Sequence, residues 1–274
     1  MSGSPDHPPS SPPQRTLTTT LGRISFTRQG SAERLVLLIH GLGRTRESFD
    51  VLRGALGGDF TFLAVDLLGH GGSDFDAPDL GAAAQAEALG EVLADLGIER
   101  AIVIGHSFGG SVALRLAALA PQRVERLALL AAGSYHYRLP FSWRACRNPF
   151  LWRLAGALGG REAALRALAL PQDAVASTRE RLGYRDAWSA LGRAYRQATD
   201  VRELEELEFL VEQPFEVPAL VLWGSEDKLV APASARVLFR SRKHVRFVEV
   251  AGAGHNLHEE EPAVVADLIK EFLR

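Results

Sequence analysis

At 274 residues and 46% hydrophobic, the chain is long enough to bury one large core, or a core with one insertion, and its composition is that of a globular protein. Its 31 Lys and Arg balance 33 Asp and Glu, so no overall basic field exists to hold nucleic acid or an anionic membrane. The lone Cys146 excludes an internal disulfide and a cysteine-based zinc site, no stretch approaches the roughly 20 apolar residues of a membrane span, and a cytoplasmic location is the expectation.

Residues 1–16 are rich in proline and serine and hold no apolar segment of the kind a secretory signal needs; a disordered tail is expected there. Two extended runs, 17–21 and 23–28, flank Gly22 and suit an antiparallel hairpin at a sheet edge. Short apolar runs then recur at 35–40, 61–66, 101–106, 126–132, 218–223 and 245–250, mostly ending at Gly, His or Asp, as buried parallel strands do. Helix-like segments lie around 46–56, 81–97, 109–120, 232–240 and 259–273. This alternation predicts an α/β fold, a mostly parallel central sheet with helices on both faces.

The rhythm breaks once. From Ser134 to about Gln213 no strand-like run occurs, and the residues are rich in Ala, Leu and Arg, which suggests three to five inserted helices. The predicted organisation is a core domain of residues 17–133 and 214–274 with a helical cap at 134–213; ordinary packing helices are the plainer alternative. Between 134 and 196, eleven arginines face four acids. That surplus suits attraction of an anionic substrate or carrier, but the preferred reading is solvated helix faces in a chain that uses arginine far more than lysine. Phe141, Trp143, Phe150, Trp152 and Trp188 are candidates for an apolar pocket roof or for core between insertion and sheet.

Ser107 lies in Gly105-His106-Ser107-Phe108-Gly109, directly after an apolar strand and before a helix. A sharp strand-to-helix turn holds a nucleophile in a strained conformation, and glycine two residues either side leaves room for it. The alternative is that Ser107 only caps the helix. A serine hydroxyl needs a base, and the base needs an acceptor that fixes its tautomer. His255, in the loop Ala251–Asn256 after the last predicted strand, is the favoured base, with His258 the second choice. Asp227, just past the strand ending at Trp223, is the favoured acid over its neighbour Glu226, and the loop Gly133–His136 contains no acid to compete. The backbone N–H groups of Phe108 and of Leu42, within His40-Gly41-Leu42-Gly43, are the candidate oxyanion donors.

With these residues placed, the chain from about residue 17 onward resembles the α/β-hydrolase fold superfamily. The match runs through His40–Gly43, Asp66-Leu67-Leu68-Gly69-His70-Gly71-Gly72-Ser73-Asp74, the Ser107 elbow, the Asp227 loop and the His255 loop, in the order Ser, Asp, His. The resemblance implies a cap after the sixth strand and catalysis without metal or cofactor. Haloalkane dehalogenases and epoxide hydrolases carry Asp where this chain has Ser107, which argues against those chemistries. The expected activity is hydrolysis of small carboxylic esters with short to medium apolar acyl groups, rising with pH as a histidine base loses its proton. Thioesterase, lactonase and carbon–carbon bond hydrolase activities, and a ligand sensor that keeps the triad, are the alternatives within the same fold.

Overall fold

The computed structural model describes residues 12–132, 147–158, 188–212, 216–230, 232 and 244–274. Eight strands form one sheet: β1 (Gln14–Thr19), β2 (Gly22–Gln29), β3 (Leu35–Ile39), β4 (Thr61–Asp66), β5 (Ala101–His106), β6 (Val124–Leu130), β7 (Ala219–Gly224) and β8 (Val245–Val250), in the spatial order β1-β2-β4-β3-β5-β6-β7-β8. Strands β3, β4, β5 and β7 are buried at every residue, which is why they read as unbroken apolar runs. The β1–β2 hairpin is antiparallel and pairs antiparallel with β4; the other ladders are parallel.

Helices α1 (Asp50–Leu56), α2 (Ala82–Asp95), α3 (Phe108–Leu119), α6 (Leu257–Glu260) and α7 (Pro262–Leu273) belong to the sheet layer. Parallel crossovers are right-handed, so the step from β3 to β4 and the reverse steps from β4 to β5 and β6 put α1 on one face and α2 and α3 on the other. Helix α2 packs on α3, and α1 packs on α7. Between β6 and β7 the described helices are α4 (Pro149–Ala157), residues 188–198, and α5 (Val201–Glu212).

Three expectations shift. Strand β1 begins at Gln14, so residues 14–16 of the expected tail are strand. Backbone pairing across the hairpin, Gln14 opposite Thr27 and Thr16 opposite Ser25, extends the ladder whatever the side chains. Strand β6 starts two residues before its expected start, because Val124 opposite Ala101 keeps register with β5 across a bulge. The final helix is two, parted at Glu261 before Pro262, whose missing N–H suits a helix start. Residues 233–240 of the helix expected at 232–240, residues 1–11, Phe141, Trp143, the loop 133–136 and most of the expected cap with its boundaries lie outside the described residues.

Trp152 and Trp188 stack with centroids 4.1 Å apart, and each indole N–H donates to the other's backbone carbonyl. Both are buried, whereas Phe150 is 69% exposed.

Candidate active site

Four connections at the carboxyl ends of the parallel strands supply the site: the loop after β3 brings Leu42, the turn after β5 Ser107, the turn after β7 Asp227 and the loop after β8 His255. In open α/β sheets this edge is where ligands bind.

Ser107 has φ 51° and ψ −120°, a strained conformation for a residue with a side chain. The turn is tight because α3 starts at the next residue. A Cβ on Gly105 would come within 2.4 Å of the Gly109 carbonyl oxygen, and one on Gly109 within 2.2 Å of the Ile39 carbonyl oxygen. Both glycines are steric requirements of the elbow. The hydroxyl makes no capping bond to α3; Oγ lies 3.0 Å from His255 Nε2.

His255 Nδ1 lies 2.8 Å from Asp227 Oδ2. The Asp227 carboxylate is fully buried, and its other oxygen accepts the N–H groups of Leu229 at 2.8 Å and Val230 at 2.9 Å. A carboxylate saturated by backbone donors cannot swing away, so the imidazole keeps its proton on Nδ1 and offers Nε2 to the serine. The two loops meet because Gly224 lets the chain at 253–254 pass close; a Cβ there would lie 2.1 Å from the Gly254 carbonyl oxygen. Glu226 turns outward, its N–H donating to Ala253 O at 2.9 Å.

His258, the second-choice base, is buried away from the acid. Among the described residues neither ring nitrogen has a hydrogen-bond partner, its ring lies 4.3 Å from that of His106, and burial holds its pKa down at about 3.

The Leu42 loop is held by two histidines of fixed tautomer. His40 Nε2 accepts the Leu67 N–H at 3.0 Å, so Nδ1–H donates to Gly41 O at 2.8 Å. His70 Nε2 accepts the Gly43 N–H at 3.0 Å and Nδ1–H donates to Leu68 O at 3.1 Å. Burial lowers their pKa values to about 4 and about 3. Both are neutral struts tying the loop after β3 to the loop after β4. Asp66, buried at the end of β4, accepts the N–H groups of Arg46 at 2.9 Å and Gly72 at 2.7 Å and pairs with the Arg46 guanidinium. Among the described residues, the N–H groups of Leu42 and Phe108 have no hydrogen-bond partner.

Two supports escaped the sequence reading. His106 donates Nε2–H to the His255 carbonyl at 3.0 Å. Glu260 accepts the N–H groups on both sides of the histidine, Gly254 at 2.5 Å and Asn256 at 3.1 Å. The only available signal was an acid five residues after His255, placed at the start of a helix.

No group of three or more His, Cys, Asp and Glu among the described residues is placed to hold a metal ion, and no described helix is long and apolar enough to cross a membrane. Residues 36–268 match the model of the alpha/beta hydrolase family. Among curated proteins, the chain is 30% identical over 257 residues to a pimeloyl-[acyl-carrier protein] methyl ester esterase of Neisseria meningitidis, covering 88% of this chain and 94% of that one. It is 27% identical to esterase YbfF of Escherichia coli, over 87% and 92% of the two chains. Among solved structures, Cfl2 of Burkholderia cenocepacia superposes with a TM-score of 0.79 over 95% of both chains at 24% identity, a likeness of fold. With sheet order, elbow and family match in agreement, the chain belongs to the alpha/beta hydrolase family.

Proposed function

We propose that the protein is a serine hydrolase of carboxylic esters with short to medium apolar acyl groups. The observation that carries this is the continuous hydrogen-bond chain from Ser107 Oγ through His255 to the buried Asp227. In the proposed reaction His255 Nε2 takes the Ser107 proton as Oγ attacks the ester carbonyl. The Leu42 and Phe108 N–H groups hold the oxyanion, and Asp227 stabilises the imidazolium. The tetrahedral adduct collapses to an acyl-serine while His255 returns its proton to the departing alcohol. Water, deprotonated by the same histidine, then attacks the acyl-serine and releases the acid and Ser107. The esterase names of the two curated relatives agree with this bond type, and the segment 134–213 is proposed as the cap over the substrate.

Initial rates on p-nitrophenyl acetate, butyrate, octanoate and palmitate, with Ser107→Ala run in parallel, test the reading. The expected result is turnover that favours the dissolved short and medium esters and falls by about 10⁴-fold or more in the variant. Equal rates in both proteins would remove Ser107 from the chemistry. Faster turnover of micellar palmitate than of dissolved esters would overturn the acyl-length assignment.

A further inference from the structure

Between the loop after β4 and the inserted helices lies a cleft of about 800 Å³. Its core wall carries Arg23, Asp74 and Asp76; its inserted wall carries Arg153 of α4 and Arg193 and Arg196 of the helical stretch 188–198. Two of these charges cancel, because Arg23 pairs with Asp74 at 2.9 Å. Arg193 donates to the Phe75 carbonyl, a neutral partner, and has no ion-pair partner among the described residues. Neither Arg153 nor Arg196 has an ion-pair partner among the described residues.

Among the described residues, three guanidiniums therefore face one remaining carboxylate, Asp76. Burial and the neighbouring Arg153 and Arg193 depress the pKa of Arg196, as expected where cations crowd in a partly desolvated place. A solvated helix face does not bring like charges from two helices into one concavity; such an arrangement is stabilised when an anion enters. The surplus of two positive charges matches a phosphate monoester better than a single carboxylate, and guanidinium forks suit phosphate oxygens. The volume suits a small organic ligand, of which a bare phosphate would fill only a part.

We propose that this cleft binds the phosphate end of an organic phosphate monoester. The site is independent of the Ser107 chemistry, and its occupancy does not require turnover.

Calorimetric titration of the full chain at pH 8 with phenyl phosphate, phenyl sulfate and inorganic phosphate tests it, since a phosphate monoester is a dianion there and a sulfate ester a monoanion. Saturable binding of phenyl phosphate is expected, with phenyl sulfate and inorganic phosphate each about tenfold weaker or more. Arg153→Gln and Arg196→Gln should each weaken phenyl phosphate by about tenfold while leaving the melting transition in place, and Ser107→Ala should bind as the native chain does. Binding of phenyl sulfate as tightly as phenyl phosphate would remove the dianion assignment. Inorganic phosphate binding equally well would remove the organic body. Undiminished binding in both arginine variants, or none below about 10 mM, a free energy of only about −3 kcal/mol, overturns the site.

Discussion

The imidazole of His255 is positioned more through its backbone than through its ring. Its carbonyl receives the His106 Nε2–H, and the amides before and after it converge on the Glu260 carboxylate. These bonds fix where the ring begins, and Asp227 fixes how it turns. Glu260→Ala frees both amides while leaving every proposed reacting group in place. The expected outcome is a fall in kcat of about tenfold, since sub-ångström misplacement of a base weakens proton transfer, with KM within about twofold. Glu260→Gln, which keeps an acceptor oxygen, should recover part of the loss; an unchanged kcat in the alanine variant would show that the loop holds itself. Ser107, Asp227 and His255 were legible in the sequence because each follows an apolar strand in a tight, glycine-marked turn. The roles of His106 and Glu260 were not, because no pattern of letters says toward which carbonyl or amide a side chain points.

At the scale of elements, one buried arginine ties the insertion to the core. Arg115, in the middle of α3, donates to the Glu203 carbonyl at 2.9 Å and pairs with the Glu203 and Glu206 carboxylates at 3.0 and 3.2 Å, both on α5. Burial raises the Glu203 pKa, and the Arg115 charge opposes that rise. Arg115→Met keeps the apolar stem and deletes the cation, so Glu203 is left half-buried without its partner. The expected cost is about 2 kcal/mol, reduced from the full buried-pair figure because Glu206 is solvated. It should appear as faster amide exchange over Val201–Glu212, with β5 and β6 still protected; uniform loosening of the whole chain would contradict a local anchor. The strands were legible because those buried on both faces leave no polar alternation. Their order was not, since apolar runs alone do not say that β3 lies between β4 and β5. Strand β1 at Gln14–Thr16 was hidden because an edge strand with exposed side chains has almost no hydrophobic signal.

Across the whole molecule, four histidines among the described residues are buried in neutral form. His40 and His70 brace the loop after β3, and His106 and His258 pack against each other beneath the His255 loop. Desolvation is the main cause in each case, lowering His40 to about 4, His70 and His258 to about 3, and His106 well below 6.5. In the unfolded chain all four regain the ordinary histidine value near 6.5. Between that value and the folded one, the unfolded state binds more protons than the native state. Stability is therefore full above about pH 6.5 and falls as the pH drops toward 4 and 3. At pH 5 each of His40, His70 and His258 costs about 2 kcal/mol, so these three together approach the whole stability of a marginal domain, and His106 adds in the same direction. The midpoint of urea unfolding should drop steeply from pH 7 to pH 5. His258 offers the cleanest test, because its ring makes no hydrogen bond among the described residues and lies between Phe49, at 5.1 Å, and His106. His258→Phe removes one titrating group without orphaning a partner and relieves His106 of a neighbouring charge. The variant should lose less stability than the native chain between pH 7 and pH 5, by about 2 kcal/mol. A parallel pH profile for the two proteins would mean that the acid sensitivity arises elsewhere than in these buried imidazoles.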